Sequence, residues 1–230
     1  MKRIVLILLA SLSLGLWAEN HGIGEADLYQ AYMQDPSWEN LQKAMEHYRT
    51  AGETDPEAEV MLAYLAVNEL ENALVNLDES KDTLSTRTLF SYANLLLELR
   101  KYDEAIPLYE KLNESAPKWS CPWRHKGEAL MKSHRLADAE AATLMAIETR
   151  PDHFDAYIQL ATIRKDMGHP AEALDALEQG LTFQDDEGEV NMTDVDFLHL
   201  ELLKSTGKTQ KYDALYKKLK ADVPDDPRLQ

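Results

Sequence analysis

The residues best placed to do chemistry surround the single cysteine of the chain, from Trp119 to His125. Ser120 can cap the helix predicted to follow, and Pro122 is tolerated in a first helical turn. Cys121 would then lie at a helix N-terminus with His125 one turn further on, where the helix dipole and a charged imidazole favour a reactive thiolate. A lone cysteine is equally compatible with an inert thiol or with a disulfide to another chain. We favour the inert thiol.

Other patterns of catalysis or metal binding are missing from the sequence. It contains no GxSxG, HExxH, phosphate-binding GxxxxGK or GxGxxG motif. The seven histidines are scattered without the paired spacing of metal ligands. The acidic run Asp185–Glu189 lacks the alternating ligands and the closing glutamate of an EF-hand calcium loop. We therefore predict that the protein is not an enzyme and that it needs no metal or cofactor.

The charge balance is strongly acidic. The chain has 41 acidic and 24 basic side chains, a net charge of −17, and its pI is near 4.8. Nucleic acids and anionic lipids attract surfaces rich in Lys and Arg, so this balance disfavours both as partners. Residues 19–85 hold 15 acidic and 3 basic side chains, whereas residues 204–220 hold six Lys and one Asp. Either both segments are solvated outer faces, or the molecule is a dipolar rod whose ends attract different partners.

The first 18 residues have the pattern of a secretory signal peptide. A charged start precedes the 14-residue apolar run Ile4–Trp17, and small residues follow. The run is shorter than the roughly 20 residues that a transmembrane helix needs. We predict cleavage after Ala18, with Gly15 as an alternative site, and a periplasmic or secreted mature protein that is not inserted in the membrane. The remaining alternative is an uncleaved N-terminal anchor.

The rest of the chain repeats with a period of 34 residues. Ala105, Ala139 and Ala173 are spaced 34 apart. Two further sets keep the same register, the small residues Ala93, Gly127 and Ala161 and the large residues Leu89, Trp123 and Tyr157. Each unit has two stretches of helical periodicity separated by a short turn, at residues 100–101, 134–135 and 168–169. Small residues allow two helices to cross closely, so the pattern predicts helix–turn–helix units.

A helix–turn–helix unit of 34 residues resembles the tetratricopeptide repeat. Its first helix is matched by Leu89–Ala93, its second by Tyr102–Ile106, and its closing proline by Pro117. The second unit matches at Trp123, Gly127, Leu130, Ala139 and Pro151, and the third at Tyr157, Leu160, Ala161, Gly168, Ala173 and Leu181. A weaker fourth unit fits after a shift of five residues, at Leu200, Leu203, Gly207, Tyr216, Leu219 and Pro224. The resemblance implies an all-α fold, a right-handed α-solenoid.

These matches divide the chain into segments. We predict repeats at residues 86–119, 120–153 and 154–187, and a C-terminal repeat at 193–226, after an acidic loop. Residues 19–85 also show helical periodicity, with a predicted buried face formed by Val60, Leu62, Leu65, Leu70, Leu74 and Leu77. We interpret them as degenerate N-terminal repeats, since terminal units depart from the consensus where one face meets water.

The resemblance also implies a binding surface. In this family the first helices of successive units line a concave groove that holds an extended peptide or a helix. The groove-facing positions are Phe90, Asn94, Leu97, Arg124, Glu128, Met131, Ile158, Thr162, Lys165, Phe197 and Glu201. Their apolar members would form a floor edged by mixed charge, which suits an amphipathic segment. The alternative is that several of them pack into neighbouring helices. Of the family's clamp for a C-terminal carboxylate, only Asn94 is matched.

We therefore predict a non-enzymatic exported scaffold or adaptor. It would bind protein or peptide partners in its groove, either in assembly of the cell envelope or as an escort for another exported protein. The alternative is a thiol-redox or enzymatic factor that uses Cys121.

Overall fold

A computed structural model describes residues 28, 31–32, 34–35, 37–52, 56–183 and 191–229. Within these residues all regular structure is helical, and the chain divides into two compact units between Asp82 and Thr83. The predicted signal peptide and the acidic loop Gln184–Val190 lie outside the described residues. Within the described part of the chain, no helix combines the length and the apolar character that a membrane crossing requires.

The N-terminal unit contains two packed helices, α1 (Trp38–Gly52) and α2 (Pro56–Ser80). Their shared core consists of Tyr32, Leu41, Ala44, Tyr48, Ala58, Met61 and Leu65. The face of α2 that turns towards α1 therefore recurs at positions 58, 61 and 65, as helical geometry requires. Val60 lies outside this face and is 49% exposed, so its predicted burial is wrong.

The C-terminal unit is a series of four helical hairpins in its described residues. They are formed by α3 (Thr86–Glu98) with α4 (Tyr102–Ser115), α5 (Ser120–Lys132) with α6 (Leu136–Thr149), α7 (Phe154–Asp166) with α8 (Pro170–Gly180), and α9 (Met192–Ser205) with α10 (Thr209–Asp222). Each helix packs against the next, and the first helices of neighbouring hairpins also contact each other. This nearest-neighbour packing is that of a solenoid, and the predicted all-α solenoid is confirmed.

The same turn joins the two helices of every hairpin. One residue has a positive φ in each turn: Arg100 (59°), His134 (60°), Gly168 (81°) and Gly207 (69°). The next residue donates its N–H to a carbonyl five residues earlier, as Lys101 does to Leu96 at 2.8 Å. This is the Schellman motif, which satisfies the last carbonyls of a helix and favours glycine at the positive-φ position. Two of the four turns place a larger residue there.

Small residues lie where the helices cross. Ala93, Ala105, Ala139, Ala161 and Ala173 are all 0% exposed. At Gly127 an added Cβ would overlap the side chains of Thr143 and Gln159 and would lie 3.2 Å from the carbonyl oxygen of Ala139. A side chain at position 127 would therefore force α5 and α6 apart.

The last hairpin packs more openly than the others. In α10 only Leu219 is buried, whereas α4 buries six residues. Tyr212 stands where the other hairpins have alanine, and its ring stacks on Tyr216 with centroids 5.9 Å apart. A large residue at this crossing explains the looser contact between α9 and α10.

Candidate binding groove

The predicted groove residues lie on α3, α5, α7 and α9, the first helices of the four hairpins. Because each of these helices contacts the next, equivalent positions form rows that cross all four. One row contains Phe90, Arg124, Ile158 and Phe197. Of the five apolar members of the predicted set, Phe90, Met131, Ile158 and Phe197 are half-buried, whereas Leu97 is only 7% exposed. Four apolar side chains therefore remain partly accessible on this face.

Phe90 is the centre of an aromatic cluster. Its ring centroid lies 4.6 Å from that of Trp119, 5.3 Å from that of His125 and 6.3 Å from that of Tyr109. The Tyr109 hydroxyl donates to Oδ1 of Asn94 at 2.8 Å, which fixes the ring and the amide together. Trp119, Tyr109 and His125 were not in the predicted set. They come from the second helix of one repeat and the start of the next, so a register counted along first helices does not find them.

Burial keeps His125 neutral. It lowers the pKa of His125 to about 3, and the positive charges of Arg124 and then His153 act in the same direction. An uncharged His125 cannot supply the imidazolium that an activated cysteine needs. Cys121 itself is a free, half-buried thiol.

Ion pairs lie beside the apolar positions. Arg124 pairs with Glu128 at 3.4 Å within α5, and Lys165 of α7 pairs with Glu201 of α9 at 3.0 Å. Thr162 donates its hydroxyl proton to the carbonyl of Ile158 at 2.9 Å, so its oxygen remains available as an acceptor. Three of the predicted polar positions thus carry fixed charges of both signs on two neighbouring helices.

Two cavities open among these residues. The larger, of about 490 Å³, is lined by Lys165, Asp194, Phe197, Leu198, Leu200, Glu201, Lys204, Tyr212 and Arg228. The smaller, of about 260 Å³, is lined by Leu97, Glu98, Arg100, Tyr102, Glu128 and Lys132. The structure therefore brings Lys165, Phe197 and Glu201 together in one cavity, and Leu97 with Glu128 in the other.

Ser120 has a different role from the predicted helix cap. Trp119 occupies the N-cap position of α5, and Ser120 is the first helical residue. Its hydroxyl donates to the carbonyl of Ala146 at 2.9 Å and lies 2.6 Å from Nδ1 of His153. Both side chains are buried, and the prediction of a Ser120 cap is wrong because the hydroxyl points towards the adjoining repeat boundary.

Among the described residues, no group of three His, Cys, Asp or Glu side chains is arranged to hold a metal ion.

Comparison with known proteins identifies the repeats. The tetratricopeptide repeat model matches residues 86–118 and 154–187, and the repeats of this chain are tetratricopeptide repeats. This is a scaffold fold associated with protein–protein interaction. No curated protein sequence matches the chain.

Several solved structures share the fold. PilW, a widely conserved type IV pilus biogenesis factor, is similar with a TM-score of 0.60 and 21% identity over 90% of this chain and 95% of that chain. PilF of Pseudomonas aeruginosa gives a TM-score of 0.57 and 19% identity over 96% of this chain and 94% of that chain. YrrB, a tetratricopeptide repeat protein with an unusual peptide-binding site, gives 0.54 and 17% over 65% and 73%. At these identities the likeness establishes a common fold.

Proposed function

We propose that the protein is a non-enzymatic scaffold that holds a protein or peptide segment on the face formed by α3, α5, α7 and α9. The observation that carries this proposal is the series of half-buried apolar side chains Phe90, Met131, Ile158 and Phe197, one from each of four neighbouring helices. Apolar anchors of a bound segment would complete their burial. The ion pairs beside them would fix its orientation, since charge at an interface contributes specificity more than affinity.

The geometry suits a long segment better than a small molecule. The accessible positions extend over four consecutive helices, and the two cavities near them lie in different repeats. A small ligand is usually enclosed in one concave pocket, whereas an amphipathic helix or an extended strand of peptide uses anchors spread along a groove.

We further propose that the protein is exported and acts in assembly of the cell envelope or as an escort there. The signal-like residues 1–18 support export. The likeness in fold to PilW and PilF, which extends over nine tenths or more of each chain, supports assembly of an envelope machine as the setting. N-terminal sequencing of protein from the native host tests export, with a first residue at or near Glu19 expected. A retained Met1 in the membrane fraction would contradict it.

A capture experiment tests the binding face. Wild type and the double variant Phe90→Ala/Ile158→Ala serve as baits in a periplasmic extract, and bound proteins are quantified by mass spectrometry. The double variant is expected to lose most of its captured partners, since an anchor commonly contributes about 2 kcal/mol or more.

Matched controls separate binding from folding and from thiol chemistry. Leu144→Ala/Phe183→Ala removes an aliphatic and an aromatic side chain that are 42% and 37% exposed elsewhere, and it is expected to retain every partner. Cys121→Ser is also expected to retain them. Loss with Cys121→Ser but not with the groove variant would replace the scaffold by the thiol function. Melting curves establish that each bait is folded.

A further inference from the structure

The chain itself occupies the last apolar position of the groove. Arg228 lies in the 3-10 turn Pro227–Leu229, and its guanidinium carbon is 3.7 Å from the centre of the Phe197 ring. Nη1 of the same guanidinium donates to Oδ1 of Asp194 at 2.7 Å. Asp194 lies three residues before Phe197 on α9. The aromatic face and the carboxylate of one helix therefore hold one cation between them.

The turn that presents Arg228 is itself anchored. Leu229 is 3% exposed and packs with Leu200 and Leu219, while the Tyr216 hydroxyl donates to its carbonyl at 3.0 Å. Asp226 accepts from Nε and Nη2 of Arg228 at 3.0 and 2.7 Å. This fork-to-fork pairing fixes the plane of the guanidinium. The position of Arg228 is thus set from both sides.

The chemistry of this contact is that of arginine recognition. A planar guanidinium stacks on an aromatic ring while its N–H groups pair with a carboxylate, and a lysine ammonium cannot reproduce both contacts at once. The adjoining cavity of about 490 Å³ has room for further side chains of a bound segment, beside Lys204 and Tyr212. Asp194 and Phe197 therefore form a site for one side chain, next to space for its neighbours.

We propose that Asp194 and Phe197 form an arginine-binding subsite at this end of the groove, and that Arg228 is an internal competitor displaced by an arginine of the bound partner. This rests on the proposed function, because it assigns the chemistry of the partner at one end of the same face. Displacement replaces one guanidinium by another on Phe197. Arg228 keeps its pair with Asp226 after release, and its side chain is already 44% exposed. The exchange therefore opposes binding only weakly, because exposed ion pairs contribute little to stability.

The subsite can be tested without knowing the partner. The full-length protein is titrated with N-acetyl-arginine amide, and binding is followed by NMR chemical shifts of α9 resonances. In Arg228→Ala the empty subsite is expected to bind the probe saturably, at least 10-fold more tightly than wild type does. N-acetyl-lysine amide is expected to bind that variant at least several-fold more weakly than the arginine probe.

Two second-site variants locate the binding. Arg228→Ala/Phe197→Ala is expected to lose the saturable shifts, and Arg228→Ala/Asp194→Asn, which preserves the shape of the side chain, is expected to bind at least several-fold more weakly. Equal binding by wild type and Arg228→Ala, no saturable binding by Arg228→Ala, or unchanged binding in the Asp194→Asn background would each overturn the proposal. These residues differ from those changed in the capture experiment, so failure of the groove and failure of the subsite are separate results.

Discussion

The hydroxyl of Ser120 and Nδ1 of His153, which lie 2.6 Å apart, join the first and last residues of the second repeat. The serine proton is directed at the carbonyl of Ala146, 2.9 Å away, so the imidazole must donate its Nδ1 proton to the serine oxygen. Both side chains are more than nine tenths buried, which makes this pair a polar connection inside an apolar boundary between repeats. Its loss would leave a buried donor without an acceptor.

Ser120→Ala is therefore expected to lower the free energy of unfolding by about 1–3 kcal/mol, the usual effect of an unsatisfied buried polar group. Chemical denaturation followed by circular dichroism measures it. Ser205→Ala is the matched control, because Ser205 is exposed and bonds only to carbonyls of its own helix. Its expected effect is under about 0.5 kcal/mol. Equal losses for the two variants would contradict a special role for the Ser120–His153 contact.

Two buried histidines predict that acid destabilises the fold. Burial, reinforced by Arg150 and Arg124, lowers the pKa of His153 to about 4, and the pKa of His125 is lowered to about 3. In the unfolded chain both titrate near 6.5. The unfolded state therefore binds more protons between these values, and stability is lost as the pH falls below about 6.5. Between pH 7.5 and 5 we expect a loss of about 2–4 kcal/mol, measured by denaturation at each pH.

The source of this pH dependence can be assigned with one substitution. His153→Gln removes a titrating group but leaves an amide that can bond to Ser120. The variant is expected to be less stable at pH 7.5 and to lose about half of the pH dependence. A pH profile parallel to that of wild type would show that His153 does not contribute.

The two turns without glycine predict stabilising changes. Arg100 and His134 have φ values of 59° and 60°, where Gly168 and Gly207 stand in the other hairpins. A non-glycine residue in this conformation costs about 1 kcal/mol or slightly more, whereas glycine adopts it freely. Arg100→Gly and His134→Gly are each expected to raise the free energy of unfolding by about 0.5–1 kcal/mol. Gly168→Ala, the reverse change, is expected to lower it by a similar amount, and a gain there would refute the interpretation.

The sequence predicted those features that recur with the period. The hairpin turns, the small crossing residues and the five-residue shift before Gly207 follow from equivalent residues that repeat the same backbone geometry. Contacts between non-equivalent elements could not be found this way. Arg228 reaches Phe197 from a turn outside the repeats, and Trp119 reaches Phe90 from the next repeat. Val60 was misassigned because α2 offers apolar residues on more than one face, and only the partner helix decides which face is buried.

A buried amide offers a further test of packing. Asn113 is 4% exposed, and neither atom of its amide group has a hydrogen-bond partner among the described residues. Such a group destabilises the fold, so Asn113→Leu, which is close in size, is expected to raise the free energy of unfolding by about 1–3 kcal/mol. Asn94→Leu is the contrasting variant, because it removes the acceptor of the buried Tyr109 hydroxyl and is expected to destabilise. A destabilised Asn113→Leu protein would indicate that the amide is satisfied in solution.

The central claim is that the partner lies against the first helices of the repeats, and site-specific photo-crosslinking tests it most directly. Benzoylphenylalanine is introduced in living cells at Phe90 or Met131 on this face, and at the exposed positions Leu144 or Asp175 on the second helices. We predict discrete crosslinked products of the same partner from Phe90 and Met131, and none from Leu144 or Asp175. Crosslinks from the second helices with none from Phe90 and Met131 would contradict a binding site in this groove.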